Sequence, residues 1–301
     1  MKVAPISILE TGSPTRWGPE KRLEFIDFRL RWDGTLNRGD LSAFFGISIP
    51  QASLDISRYL ELAPHNARYD RRKRSYVATS DFQPLFRTSQ AQKYLGDLLS
   101  QACGLLDQGS AFLGWCPPVA SAPMPVRTLS ADTLVALVGA MRRGNALQMI
   151  YQSMTSTAPR ERLVSPCAFG HDGSRWHVRA FCHLEKGYRD FVIARILSLG
   201  EEQAAPAELP RDMEWTTTVT LVLAPNPGLP EAHRRVIELD YGMDNGELHF
   251  ECRRALLLYV VRNLGLDDEA IKHPKVQQVV LKNRDEIEQL LPLVPGSSYA
   301  S

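Results

Sequence analysis

The run Arg175-Trp176-His177-Val178-Arg179-Ala180-Phe181-Cys182-His183 changes character at alternate positions, and with residues 189–196 it constrains the fold more than any other part of the chain. Side chains two apart on a strand share a face. Trp176, Val178, Ala180 and Cys182 therefore form an apolar face, and Arg175, His177, Arg179, Phe181 and His183 form the other. Glu185-Lys186-Gly187 supplies a turn to a second strand, in which Val192, Ala194 and Ile196 pack on one side while Arg189, Phe191, Ile193 and Arg195 share the other. Such strands require an antiparallel sheet with one packed face. Guanidinium groups beside aromatic rings suit a phosphate-bearing or nucleotide-like ligand, because the fork matches oxyanions and rings stack on bases. The same pattern also suits a solvated sheet face.

Around this strand pair stand Ile150-Tyr151, Arg162, Pro166, Trp176-His177-Val178 and Arg195-Ile196, in that order over about 50 residues. They resemble the WYL domain of bacterial transcription regulators, with His177 and Val178 in place of the name-giving Tyr and Leu. The form Trp-His-Val-Arg-Ala-Phe, with Arg189-Asp190-Phe191-Val192 before the final Arg-Ile, is similar to the defence-associated BrxR and CapW branch. That resemblance implies a winged helix-turn-helix before the WYL domain, a small Sm-like β-barrel for the domain itself, and an extra domain after it. The expected effector contacts are Tyr151, by its place in the family pattern, His177, Arg179, Arg189 and Arg195 on the basic strand face, and Ser165 and His171 on the loop that the His171-Asp172-Gly173 turn signal brings toward that face.

The N-terminal part supplies the implied head. Apolar residues from Leu23 to Trp32 recur with helical spacing after Pro19, so a helix spans 19–32 and Asp33-Gly34 breaks it. A shorter helix over 38–45 is ended by Gly46, the residue a left-handed cap favours. Ser48 opens a third helix, with Pro50 in its first turn and Gln51 as capping-box partner, and Leu54, Ile56, Tyr59 and Leu60 as its core stripe. Two helices joined by so tight a turn read as a helix-turn-helix, whose second helix enters the major groove. Ser48, Gln51, Ala52, Ser53, Asp55 and Arg58 are the expected DNA-facing residues of that helix. Residues 67–77 read as a hairpin wing, and from Arg68 through Arg71, Arg72, Lys73 and Arg74 it carries a local net charge of +4 in a chain whose total is +1. A basic wing of this kind grips phosphates and fixes register without reading sequence.

Residues 88–106 read as a helix with Tyr94, Leu95, Leu98, Leu99, Cys103 and Leu106 as its apolar stripe, and the Pro-rich stretch 114–125 marks a boundary. After a helix over 131–143 and a strand over 147–151, the C-terminal part reads as a strand at 216–223, a helix ending at Val236, and strands at 237–241 and 248–252. A helix at 253–264, a strand at 275–282 and a helix at 284–291 complete it. The expected architecture is α+β and multidomain: a winged helix-turn-helix over 1–86, a helical linker or dimerisation segment over 87–130, a WYL domain over 131–205 and a small α+β domain over 206–301.

Five scattered cysteines without a C-x-x-C pair argue against a disulfide framework or structural zinc, and His171, His177 and His183 lack ligand spacing, so no metal and no cofactor is expected. No apolar run is long enough to span a bilayer and no secretory leader is apparent, which points to the cytoplasm. No Walker loop, G-x-G-x-x-G, G-x-S-x-G or H-E-x-x-H occurs, so catalysis is not expected. The resemblance implies a homodimeric repressor on a double-stranded operator with an inverted repeat, answering to a nucleotide or oligonucleotide. Two alternatives stand beside it: a nucleic-acid-binding module without a switch, and a nucleotide-processing enzyme with a DNA-binding head.

Overall fold

The computed structural model describes residues 18–291 apart from 108, 124, 126, 207, 267–272 and 275. The chain divides into two compact units, Met1–Met124 and Pro125–Ser301.

In the first unit, α1 (Pro19–Asp33) starts with proline at its first helical position and stops at Gly34, whose φ of 70° is left-handed. A two-residue strand β1 (Thr35–Leu36), not foreseen in the sequence, precedes α2 (Arg38–Phe45) and α3 (Ile49–Leu62). Asn37 caps α2 through a reciprocal box: its Oδ1 accepts from the Asp40 amide at 3.1 Å, and Asp40 Oδ2 accepts from the Asn37 amide at 2.7 Å. Gly46 closes α2 at φ 67°. Strands β2 (Ala67–Asp70) and β3 (Ser75–Ala78) form the wing, and β1 adds to β3 in a three-stranded antiparallel sheet ordered β1-β3-β2. Phe25, Ile26, Leu30, Leu41, Ile56 and Tyr59 fill the core.

Buried Asp27 ties this core together. It accepts from Tyr59 Oη at 2.7 Å, Ser89 Oγ at 2.6 Å, and the amides of Leu85 and Phe86 at 3.1 and 3.3 Å. Burial pushes its carboxyl above the usual range, against the pull of those donors. The helix expected over 88–106 is shorter: after a 3-10 turn, α4 covers Ala91–Ala102 and Gly104 is left-handed. Of its expected stripe Leu98 is buried, whereas Leu95 and Leu99 are exposed.

The second unit opens with α5 (Ala131–Arg143), closed by left-handed Gly144. Strands β4 (Asn145–Tyr151), β5 (Arg160–His171), β6 (Trp176–Cys182), β7 (Gly187–Val192) and β8 (Ile196–Ala204) form one antiparallel sheet ordered β7-β6-β5-β4-β8. Edge strands β7 and β8 do not pair among the described residues, so the expected Sm-like barrel is not closed by hydrogen bonds. Leu137, Leu147, Met149, Val164, Val178, Ala180 and Phe191 make its core.

After a one-turn helix α6 (Met213–Thr216), strands β9 (Thr218–Pro225), β10 (Leu248–Arg253) and β11 (Val279–Leu281) form a sheet ordered β10-β9-β11, accompanied by α7 (Glu231–Tyr241), α8 (Leu257–Asn263) and α9 (Arg284–Leu290). Leu221, Leu223, Leu257, Val261 and Ile287 lie in its core. The strand expected at 237–241 is instead the second half of α7: its three alternating apolar residues are outweighed by a continuous helix that ends only at left-handed Gly242. The helix expected from 253 begins at Leu257, because β10 runs through Arg253 and a 3-10 turn follows. The strand expected at 275–282 is found at Val279–Leu281, with Lys275 outside the described residues.

Candidate nucleic-acid interface and effector face

Ser48 opens α3 as expected, its Oγ accepting from the Gln51 amide at 3.3 Å. The reciprocal half of the expected box is replaced: Gln51 Nε2 donates to Asp55 Oδ1 at 3.1 Å. Ala52, Asp55, Ile56 and Tyr59 are buried, the i, i+3, i+4, i+7 spacing of a core-facing stripe. Ala52 and Asp55 therefore point into the protein, and Asp55 holds Arg22 through Nε at 2.6 Å and Nη2 at 3.1 Å. Ser48, Pro50, Leu54, Ser57 and Arg58 are exposed, with Gln51 and Ser53 half-buried beside them. Leu54, assigned to the core by the sequence reading, is 65% exposed. At 100° per residue it lies some 160° around the helix from Ile56, a displacement that Ala52 and Tyr59 could have signalled.

The wing tip is built by Asp70, whose Oδ1 accepts the amides of Arg72 at 2.8 Å and Lys73 at 3.1 Å. Those amides, Lys73 first, hold its carboxyl below the usual range. Arg74 completes the turn at a positive φ of 52°. Arg68, Arg71, Arg72, Lys73 and Arg74 are all exposed, and none enters an ion pair among the described residues. Behind them Tyr69 packs edge-on to Tyr76 at 5.0 Å and lies under the Arg38 guanidinium at 5.7 Å.

On the WYL-like sheet the face left open by alternation is covered. The β6–β7 register sets Arg179 opposite Asp190 and Ala180 opposite Arg189. Arg179 is buried: Nε meets Asp212 Oδ2 at 2.7 Å, Nη2 meets Asp212 Oδ1 at 2.9 Å and Glu214 Oε2 at 2.7 Å, and Nη1 meets Asp190 Oδ1 at 3.3 Å. Burial disfavours the charge, yet these bonds hold the guanidinium's proton more tightly than usual. Asp212 also caps α6, accepting from the Trp215 amide at 3.1 Å. His177, buried as well, places Nε2 at 2.9 Å from Asp172 Oδ2 and its ring 4.9 Å from Tyr259, whose hydroxyl donates to Asp190 Oδ2 at 3.2 Å. Asn263 of α8 donates to the Asp172 carbonyl. His177 Nδ1 is buried without a partner in the described structure.

The other expected effector residues are dispersed. Tyr151 is a core ring, 5.1 Å edge-on from Phe191, and its hydroxyl accepts from the Val192 amide at 3.1 Å. Ser165 is buried with its Oγ 2.9 Å from His183 Nε2. Exposed His171 lies 4.8 Å from Trp176, which is itself exposed rather than packed. Arg189 is exposed and bonded to Glu185 at 2.8 Å. The expected strand through 196 breaks at Ile193–Arg195, a 3-10 turn that buries Ile193 and leaves Arg195 half-buried. The acidic residues that engage the Arg179 face, Asp190, Asp212 and Glu214, were missed by the sequence reading. Asp212 and Glu214 follow Arg179 by more than 30 positions, and the local signal they offered was that of a helix cap. No cluster of three or more His, Cys, Asp or Glu among the described residues could hold a metal, and no described helix is long and apolar enough to cross a membrane.

A family model described as the BrxR transcriptional regulator winged helix-turn-helix domain matches residues 18–100, the WYL domain model matches 132–200, and the BrxR transcriptional regulator C-terminal dimerization domain model matches 218–287. The DNA-binding transcriptional repressor CapW of Pseudomonas aeruginosa is 49% identical over 280 residues, covering 92% of this chain and 93% of that protein. CapW of Escherichia coli (strain KTE188) is 46% identical and CapW of Stenotrophomonas maltophilia 43% identical, with the same coverage of 92% and 93%. Proteasome accessory factor B/C of Arthrobacter aurescens, at 18% identity over 96% of this chain and 50% of that one, superposes with a TM-score of 0.26, too low to carry an argument. With winged-helix, WYL and C-terminal domain models matching in succession and relatives up to 49% identical matched almost end to end, the chain belongs to the BrxR and CapW family of transcriptional regulators.

Proposed function

We propose that the protein is a homodimeric, sequence-specific transcriptional repressor, not an enzyme, that binds an operator with an inverted repeat beside the operon it controls, an anti-phage defence operon. The observation that carries the DNA-binding part is the set of five exposed wing cations, none in an ion pair among the described residues, together with the exposed face of α3. α3 enters the major groove while the wing grips phosphates, and two heads related by a two-fold axis meet half-sites one helical turn, or a multiple of it, apart. Gel shifts on the upstream intergenic DNA test this reading; equal affinity for that DNA and for random duplex overturns it.

The switching part places a nucleotide or oligonucleotide effector on the Arg179 face. Asp212 and Glu214 stand where phosphate oxygens would, so an oxyanion competes with them for one guanidinium. Displacing them alters the packing of the segment that follows the sheet. The effector's influence is limited to its difference in affinity between the two arrangements. Glu214→Gln removes one competitor from an exposed position and raises the affinity for short single-stranded oligonucleotides or cyclic nucleotides. Unchanged affinity favours the second reading, a DNA-binding module without a switch, in which a fully bonded Arg179 is structural.

A further inference from the structure

The helix α7 is stabilised by less of its own protomer than its length requires. Ile237 is its one buried residue, and an isolated helix of 11 residues is marginal in water. About 100–160° around the helix from Ile237, Ala232, Val236 and Leu239 form a narrow apolar stripe. All three are exposed, Val236 at 51% and Leu239 at 67%. This stripe lies within the segment whose family description names dimerisation, but that description does not say which face pairs.

We propose that α7 pairs with α7 of a second copy of this chain, antiparallel, about a two-fold axis passing close to Val236. Two considerations select a second copy over another occupant. The stripe is self-complementary in size, because a two-fold near Val236 sets small Ala232 against large Leu239. Finally, an isologous contact uses one patch twice and needs no second surface of matching shape. The inference rests on the homodimer of the proposed function and assigns its seam.

The test uses the full-length protein. In the Val236→Cys variant the new thiol meets its own copy at the axis, so mild oxidation yields a covalent dimer that the unaltered protein, oxidised alongside, does not form. Val236→Glu combined with Leu239→Glu is monomeric in sedimentation at concentrations where the unaltered chain is dimeric, with its far-UV circular dichroism otherwise retained. A double variant that stays dimeric, or a cysteine variant that oxidises no faster than the unaltered chain, overturns the α7 seam and leaves the homodimer standing. A chain monomeric before any substitution overturns the homodimer itself. Should the double variant misfold, the cysteine variant still decides.

Discussion

At the scale of single residues, direction around a helix decides what a side chain can do. Asp55 and Leu54 are neighbours in sequence, yet one closes an internal ion pair with Arg22 while the other projects from α3. If α3 lies in the major groove, as proposed, an exposed leucine between Ser53 and Ser57 meets the thymine methyl, the apolar feature that groove offers. Replacing the contacted thymine by uracil removes one methyl group, worth about 0.8 kcal/mol or about a fourfold loss in affinity. Scanning the operator with uracil therefore finds a sensitive position, and Leu54→Ala abolishes that sensitivity; if the scan profile is the same in both proteins, Leu54 is not the reader. Asp27 shows the opposite case, a carboxyl kept inside by the four donors around it. Asp27→Ala strands those donors and lowers the stability of the winged-helix unit by about 2–4 kcal/mol in urea unfolding.

At the scale of elements, the wing is the part whose chemistry depends least on its neighbours, since its cations are exposed and its turn is held by its own Asp70 and the pairing of its two strands. Replacing Arg71, Arg72 and Arg74 together by Ala weakens specific and random DNA alike and flattens the salt dependence of binding by roughly 0.9 in log-log slope for each phosphate left without its cation. Titration against salt checks this, and an unchanged slope removes the wing from the interface. Elements with local punctuation were legible in the sequence. Pro19, Gly46 and Ser48 mark helix ends by their own conformational preferences, and the structure puts helix ends there. Elements decided by distant partners were not. Residues 237–241 alternate like a strand but continue α7, and β1 exists because β3, some 40 residues later, pairs with it. The same holds for the effector face: alternation correctly put His177 and Arg179 on the side away from Val178, but nothing local told that Asp212, Glu214 and Tyr259 would cover it.

At the scale of the whole molecule, the covered face makes the second unit acid-sensitive in a direction that can be worked out. Burial would raise the carboxyls of Asp172 and Asp212, but their bonds to His177 and Arg175, and to Arg179 and the Trp215 amide, outweigh it and both lie below the usual carboxylate range. A carboxyl depressed on folding contributes stability that is present above its unfolded value, near 3.9, and is lost as pH falls through its folded value. Asp190 runs the other way, since burial pushes it up, so its contribution is present below about pH 3.9 and lost at higher pH. With Asp172 and Asp212 depressed on this face, and Glu185, Glu202 and Glu247 depressed elsewhere in the unit, against Asp190 raised, the net expectation is a melting temperature of the second unit that drops below about pH 4. Asp172→Asn has a lower melting temperature at neutral pH but a shallower acid drop, and an unchanged drop refutes the assignment. Arg179→Ala is the severe counterpart, because it leaves Asp190 and Asp212 without their cation and costs about 3–5 kcal/mol. Any loss of effector response in that variant is therefore entangled with loss of fold, whereas Glu214, half exposed on α6, can be neutralised with the Arg179–Asp212 pair left in place. The pair of variants separates the two roles of this arginine: Glu214→Gln changes operator release by oligonucleotides at unchanged melting temperature if Arg179 is the sensor, and changes neither if Arg179 serves only to fasten the sheet to the segment that follows it.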